Sequence, residues 1–288
     1  MPLRLSVVIP AHNEAGSIGG TVTALARTLT AEHIPHEIIV IDDASSDDTA
    51  ALVNDVSTRN PSVRCLRSHL PPGFGYAVRA GLDHYTGDAV AIFMADSSDS
   101  PADLVGYYSV LLDGFDCAFG SRFTKGGRTI GYPWPKLIIN RVVNLAIRMM
   151  FHHGYNDTTN AFKAYRREVI DNISPLLSNH FNLTVEMPLK ALTRGHTFQV
   201  IPITWTNRRQ GVSKLKLQEM GSRYVFSVLY VFLERHLSRG DYRRPGIPAT
   251  GRLRVHAGMK VPDLLEGSRA SVPQRDDPSA PPNAQVRG

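Results

Sequence analysis

The sequence predicts an α/β fold: a mainly parallel sheet flanked by helices, then a C-terminal helix and a disordered tail. Three observations carry this. Short apolar, β-branched runs alternate with segments of helical period through the first half of the chain. Those runs are apolar throughout, as strands covered on both faces are. The chemically distinctive polar clusters fall just after the strands, beyond the carboxyl ends where open α/β sheets bind ligands.

Taken in order, LSVVIP forms the first strand, and VIPAHNE (Val8 to Glu14) carries it into a polar loop before a helix from Ser17 to Thr30. EIIVID is the second strand. It ends in DDASSDDT (Asp42 to Thr49), whose hydroxyls and carboxylates can cap a helix from Asp47 to Thr58. VRCL is the third, followed by GFGYAVRAGL (Gly73 to Leu82) and a helix from Gly75 to Tyr85. AVAIFMA is the fourth and runs into MADSSDSP, where Pro101 suits the first turn of a helix from Ala102 to Leu112. FDCAFGS is the fifth.

After Gly120 the pattern changes. A helix from Pro135 to Phe151 leads to the loop NDTTN and a short FKAY segment. Next come a helix from Leu183 to Thr193, a strand TFQVIPITWT, the basic loop NRRQGVSK and a last helix from Leu215 to Leu237. Residues 1–240 therefore read as one domain. Residues 241–288 are rich in Pro, Ala, Gly, Ser and Arg, with little apolar periodicity, and read as the tail.

Composition bounds the function. With 288 residues, 42% of them hydrophobic, the chain can bury a sizeable core. No apolar signal segment opens it, and no run approaches the roughly 20 apolar residues of a membrane span. Cys65 and Cys117 lack metal-type spacing and read as buried free thiols of a cytoplasmic protein. The net charge of +6 favours an anionic partner: a phosphorylated substrate, anionic lipid or nucleic acid. Nucleic acid is the weakest of these, because no interleaved basic and aromatic stripe is present.

Each strand-end cluster has a plain reading and a chemical one. Asn13 or Ser17 can simply cap a helix. Asp42 and Asp43 are more carboxylate than a cap requires and can accept hydrogen bonds from a base or ribose. Gly73 and Gly75 make a turn or, at a helix N-terminus, permit close backbone approach to a nucleotide, with Arg79 one turn inside. The spacing fits neither a P-loop nor a dinucleotide fingerprint. Asp96 and its hydroxyl neighbours form either a turn or a hard-oxygen site suited to Mg or Mn.

Together PAHNE, DDASSDDT, GFGYAVRAG and MADSSDSP resemble the family two glycosyltransferases, above all the dolichol-phosphate mannose synthase group. GSRF (Gly120 to Phe123), DTTNAFKAYRR (Asp157 to Arg167) and RRQGVSKLK (Arg208 to Lys216) extend the resemblance over roughly residues 5 to 237. It implies a GT-A fold and transfer from a nucleoside-diphosphate sugar, GDP-mannose or a UDP-sugar, to a polyprenyl phosphate. Pro10, Ala11, Asn13 and Glu14 then line the nucleotide pocket, Asp42 or Asp43 meets base or ribose, and Gly75 and Arg79 lie alongside. Asp96 holds Mg or Mn on the diphosphate, with Ser98, Asp99 or water completing the shell, although Met94 stands where the family has a first Asp.

By the same resemblance Arg122 binds the acceptor phosphate, with Arg141 as a second arginine nearby. Arg208, Ser213 and Lys214 close over phosphates. Glu186 is either the general base a hydroxyl acceptor would need or a structural carboxylate. The alternatives are a transferase to a glycan hydroxyl and a non-catalytic sugar-nucleotide-binding protein. The apolar block from Tyr224 to Leu233, flanked by arginines, reads as a packed helix, a dimer face or an interfacial helix. The last of these implies peripheral contact with the inner face of the cytoplasmic membrane.

Overall fold

The computed structural model describes residues 2–207 and 217–238. Its main sheet has seven strands in the order β3-β2-β1-β4-β7-β5-β8. These are β1 (Leu5–Ala11), β2 (His36–Asp42), β3 (Val63–Arg67), β4 (Ala89–Ile92), β5 (Cys117–Ser121), β7 (Lys163–Arg166) and β8 (Phe198–Pro202). The first four are mutually parallel, and β8 is parallel to β5. FKAY supplies β7, which runs antiparallel between β4 and β5. The α/β, mainly parallel architecture is the one expected.

Successive side chains of a strand point to opposite faces, and both faces of this sheet are covered. Val7 and Ile9 pack under α1 (Ile18–Ala31), α2 (Thr49–Arg59) and α4 (Pro101–Leu112). Val8 and Ile39 pack under α3 (Phe74–Leu82), α6 (Arg167–Ile173) and α7 (Leu183–Thr193). A third apolar cluster joins α5 (Trp134–Phe151), α7 and α8 (Leu217–Leu237) through Ile147, Phe151, Leu189 and Val231.

TFQVIPITWT is not one strand. Pro202 has no N–H to extend the ladder, and the chain turns there into β9 (Thr204–Thr206), which pairs with β6 (Arg128–Ile130) in a second, two-stranded sheet. Ile203 links the two sheets: its N–H donates to Ser121 O and its carbonyl accepts from Arg128 N–H. Among the described residues no helix is long and apolar enough to cross a membrane. Arg208, Ser213, Lys214 and the tail from 241 lie outside the described residues.

Candidate active site

The loops after β1 and β2 are laced together at the carboxyl edge. The Asn13 amide oxygen accepts from Ser46 N–H at 2.7 Å, and the Asn13 N–H donates to the Ser45 hydroxyl. Glu14 N–H donates to Thr49 Oγ1 at 2.9 Å and Ala15 N–H to Asp47. Asn13 and Ala44 both take positive φ (52° and 55°), a backbone that favours short polar residues or tight local packing. Pro10 and Ala11 are buried at the end of β1, and Asn13 is exposed at the rim. Asp42 accepts from Ser45 N–H, while Asp43 accepts from Gly73 N–H at 2.9 Å. Burial raises the Asp43 carboxyl above its ordinary value, opposed by that amide.

This last contact ties the first two loops to the GFG turn. Both glycines have a reason within the protein itself, in line with the turn reading of this segment. A Cβ on Gly75 would sit 2.5 Å from Ser178 O, and one on Gly73 2.7 Å from Asn179 O. Arg79 reaches across to the same segment, its Nη1 donating to Asn179 Oδ1 at 3.2 Å. Residues 178–180 are thus a wall of the site that no sequence motif announced.

The acidic loop after β4 is buried and braced. Asp96 accepts from Ser98 N–H, and Ser97 takes φ 59°. Thr21 of α1 bonds Ala95 O and the Ser97 hydroxyl, while Thr206 N–H donates to Ser98 O. Asp99 accepts from the N–H of Met94, so Met94 serves the loop through its backbone. Burial and then the neighbouring charge of Asp96 push the Asp99 carboxyl up to about 7. Two buried carboxylates that repel each other, with the Ser98 hydroxyl between them in sequence, are a hard-oxygen set that fits Mg or Mn. No cluster of three His, Cys, Asp or Glu exists among the described residues. Mg needs none, since one or two carboxylates, waters and substrate phosphates complete its shell. Asp99 is the carboxylate that stands nearby where Met94 replaces the usual one.

Arg122 lies at the end of β5, 8% exposed. Its Nε and Nη2 donate to the two oxygens of fully buried Asp157 at 2.8 and 2.7 Å, a forked pair. The guanidinium lies 5.2 Å from the Phe123 ring centroid, 5.5 Å from Tyr132 and 6.0 Å from Trp205. Exposed Arg141 of α5 stacks over Phe123 as well, at 4.8 Å. Trp205 bridges backbone to backbone with Asp99. The acidic loop and the arginine pair are therefore neighbours.

Glu186 is placed differently. It is 1% exposed, pairs with Lys190 at 2.9 Å, and accepts the N–H groups of Leu177 and Ser178 at 2.8 and 2.7 Å. Its carboxyl is held below its ordinary value: burial raises it, and Lys190 and the amides outweigh that. A base needs a free lone pair and a raised pKa. Glu186 has a lowered pKa and already accepts from three donors, which favours the structural alternative over the base.

An α/β sheet with a buried acidic loop at its carboxyl edge is a framework able to hold a charged ligand, and comparison with known proteins gives the family. The family model "Glycosyl transferase family 2" matches residues 6–174, and the chain belongs to that family. It is 32% identical over 218 residues to a polyprenol monophosphomannose synthase of Mycolicibacterium smegmatis, covering 74% of this chain and 81% of the relative. It is 28% identical to a dolichol-phosphate mannosyltransferase of Pyrococcus furiosus, of which it spans 60%. The fold resembles glucosyl-3-phosphoglycerate synthase of Mycobacterium tuberculosis in complex with Mn2+, UDP-glucose and phosphoglyceric acid. There the TM-score is 0.62 at 19% identity, over 81% of this chain and 79% of that one.

Proposed function

We propose that this glycosyltransferase moves a sugar from a nucleoside-diphosphate sugar to a polyprenyl phosphate, with inversion. The observation that carries it is Arg122. Asp157 holds two of its nitrogens, three aromatic rings wall it, and it stands beside the Asp96–Asp99 loop. A guanidinium so fixed suits a phosphate oxygen in a partly dry site. The two relatives' names support the lipid acceptor and favour a mannosyl donor.

In the reaction an acceptor phosphate oxygen attacks the anomeric carbon as the bond from that carbon to the diphosphate oxygen breaks. The bonding pair leaves with the nucleoside diphosphate. An ionised phosphate brings no proton to remove, which accords with Glu186 being committed elsewhere. Asp96, Asp99 and Ser98 would hold Mg or Mn, which when bound neutralises charge gathering on the leaving diphosphate. The loop after β1, Asp42 and Asp43 orient the nucleotide, while Arg122, with Arg141 nearby, orients the nucleophile.

Peripheral membrane contact fits the exposed apolar residues of α8 (Val225, Phe226, Leu229 and Leu233) and of α5 (Trp134, Ile138, Val142, Leu145 and Met149). The deciding experiment incubates the protein with GDP-mannose or UDP-sugars, polyprenyl phosphate and Mg or Mn, and reads product mass. A glycosylated lipid phosphate whose formation stops with EDTA is expected. Transfer only to glycan hydroxyls would overturn the acceptor assignment, and no transfer with any donor the catalytic one.

A further inference from the structure

The turn that holds Arg122 is itself held from beneath. Lys163 of β7 is 1% exposed, and its Nζ donates to the carbonyls of Thr158 at 3.0 Å, Asn160, and Thr184 at 3.2 Å. An ammonium has three protons, and here all three go to neutral carbonyls. Burying a charge that way is expensive unless a counter-charge is near. The stronger of the two counter-charges that act here is Asp157, which also serves Arg122, and the weaker is Asp99. Burial lowers the Lys163 ammonium to about 7, with Asp157 opposing and Arg122 reinforcing that shift.

The three carbonyls belong to two pieces of chain. Thr158 and Asn160 lie in the turn that begins at Asp157, and Thr184 lies in the first turn of α7. Between them, Thr159 is fixed to α5: its hydroxyl accepts from Asn140 and Asn144, and its N–H donates to the Asn144 amide oxygen. The turn thus has a side anchor on α5 and a lower anchor at Lys163. Its leading residue sets the direction of the Arg122 fork.

We propose that Lys163 is a positioning residue for the acceptor: through the 157–160 turn and Asp157 it aims the Arg122 guanidinium, and so sets affinity for the acceptor phosphate without touching the donor. This rests on the reading of Arg122 as the acceptor-phosphate ligand. A residue that merely filled the core would alter stability but not distinguish the two substrates.

The test compares Lys163→Met, Lys163→Gln, Arg122→Ala and the double variant Lys163→Gln/Arg122→Ala. Initial rates are measured against polyprenyl phosphate at saturating sugar nucleotide, and calorimetry gives the Kd for the nucleoside diphosphate. Circular dichroism confirms folding. Gln retains two donors for the three carbonyls, which keeps a foldable variant in the set. Either Lys163 variant should raise the acceptor KM about tenfold while the nucleotide Kd stays within about twofold. The double variant should be no worse than Arg122→Ala alone, because both changes act on one contact. Arg122→Ala raising the acceptor KM while the folded Lys163 variants do not would overturn the proposal, as would failure of both Lys163 variants to fold. If Arg122→Ala itself leaves that KM unchanged, the acceptor reading falls first.

Discussion

Asp96 and Glu186 are both nearly inaccessible carboxylates, and burial alone does not tell their tasks apart; the surrounding charges do. Glu186 faces Lys190 and two amide donors, all of which favour its ionised form. Asp96 faces Asp99, a like charge. Glu186→Gln should therefore strand a buried ammonium and cost about 3 kcal/mol in folding. Turnover per folded molecule should persist, as measured by denaturant titration beside initial rates. A folded, stable Glu186→Gln protein without activity would restore the general base. Asp96→Asn should do the reverse, keeping the denaturation midpoint within small limits and lowering turnover by orders of magnitude, since charge stabilisation of the leaving group is lost. Equal rates for Asp96→Asn and the parent at saturating Mg would remove Asp96 from the site.

Among the elements, those with a local cause were legible in the sequence. Five apolar runs became β1 to β5 because burial is written into their residues, completely in β1, β4 and β5 and only in part in the edge strand β3. The cluster at Asp96 was visible because a buried strand stops in carboxylates and hydroxyls. What escaped depends on distant partners. β6 is three half-exposed or exposed residues that become a strand only because β9 lies beside them, and Asp157 matters only because Arg122 is 35 positions earlier. The GFG turn was found, but not its tight neighbour, the 178–180 segment about a hundred residues away. At this scale Gly75→Ala is decisive. The added methyl meets three backbone atoms at 2.5 to 2.8 Å, and backbone cannot swing aside as a side-chain tip can. A loss of about 1–3 kcal/mol is expected, together with weaker nucleotide binding as the Asp43–Gly73 contact shifts. A calorimetric titration with nucleoside diphosphate reads the second effect. Unchanged stability would mean that the 178–180 segment yields freely.

Across the whole molecule, acid sensitivity should come in two stages with different chemical origins. His153 is buried just past the left-handed end of α5, against Phe151 and near Arg148 and Arg235. Burial first, then the arginines, lowers its imidazole to about 4 from an ordinary 6.5. The unfolded chain thus binds a proton in a window where the folded chain refuses it, so stability falls as pH drops from about 6.5 to about 4. Glu37, Asp116 and Glu186 are shifted the other way. The stability they contribute is complete above their unfolded values and is lost only as pH falls through their lower folded ones. Between pH 7 and 4.5 Asp99, pushed up to about 7, works the other way from His153, because the folded chain keeps a proton that the unfolded carboxyl releases. The His153 share is therefore read as the difference between the parent and a variant that lacks it. His153→Leu should flatten this stage: between those two pH values the parent should lose about 2–3 kcal/mol more than the variant, at about 1.4 kcal/mol per shifted unit. Guanidinium titrations at both pH values measure it. Equal losses would show that His153 takes its proton without leaving the folded state, and acid sensitivity would then belong to the carboxylates alone.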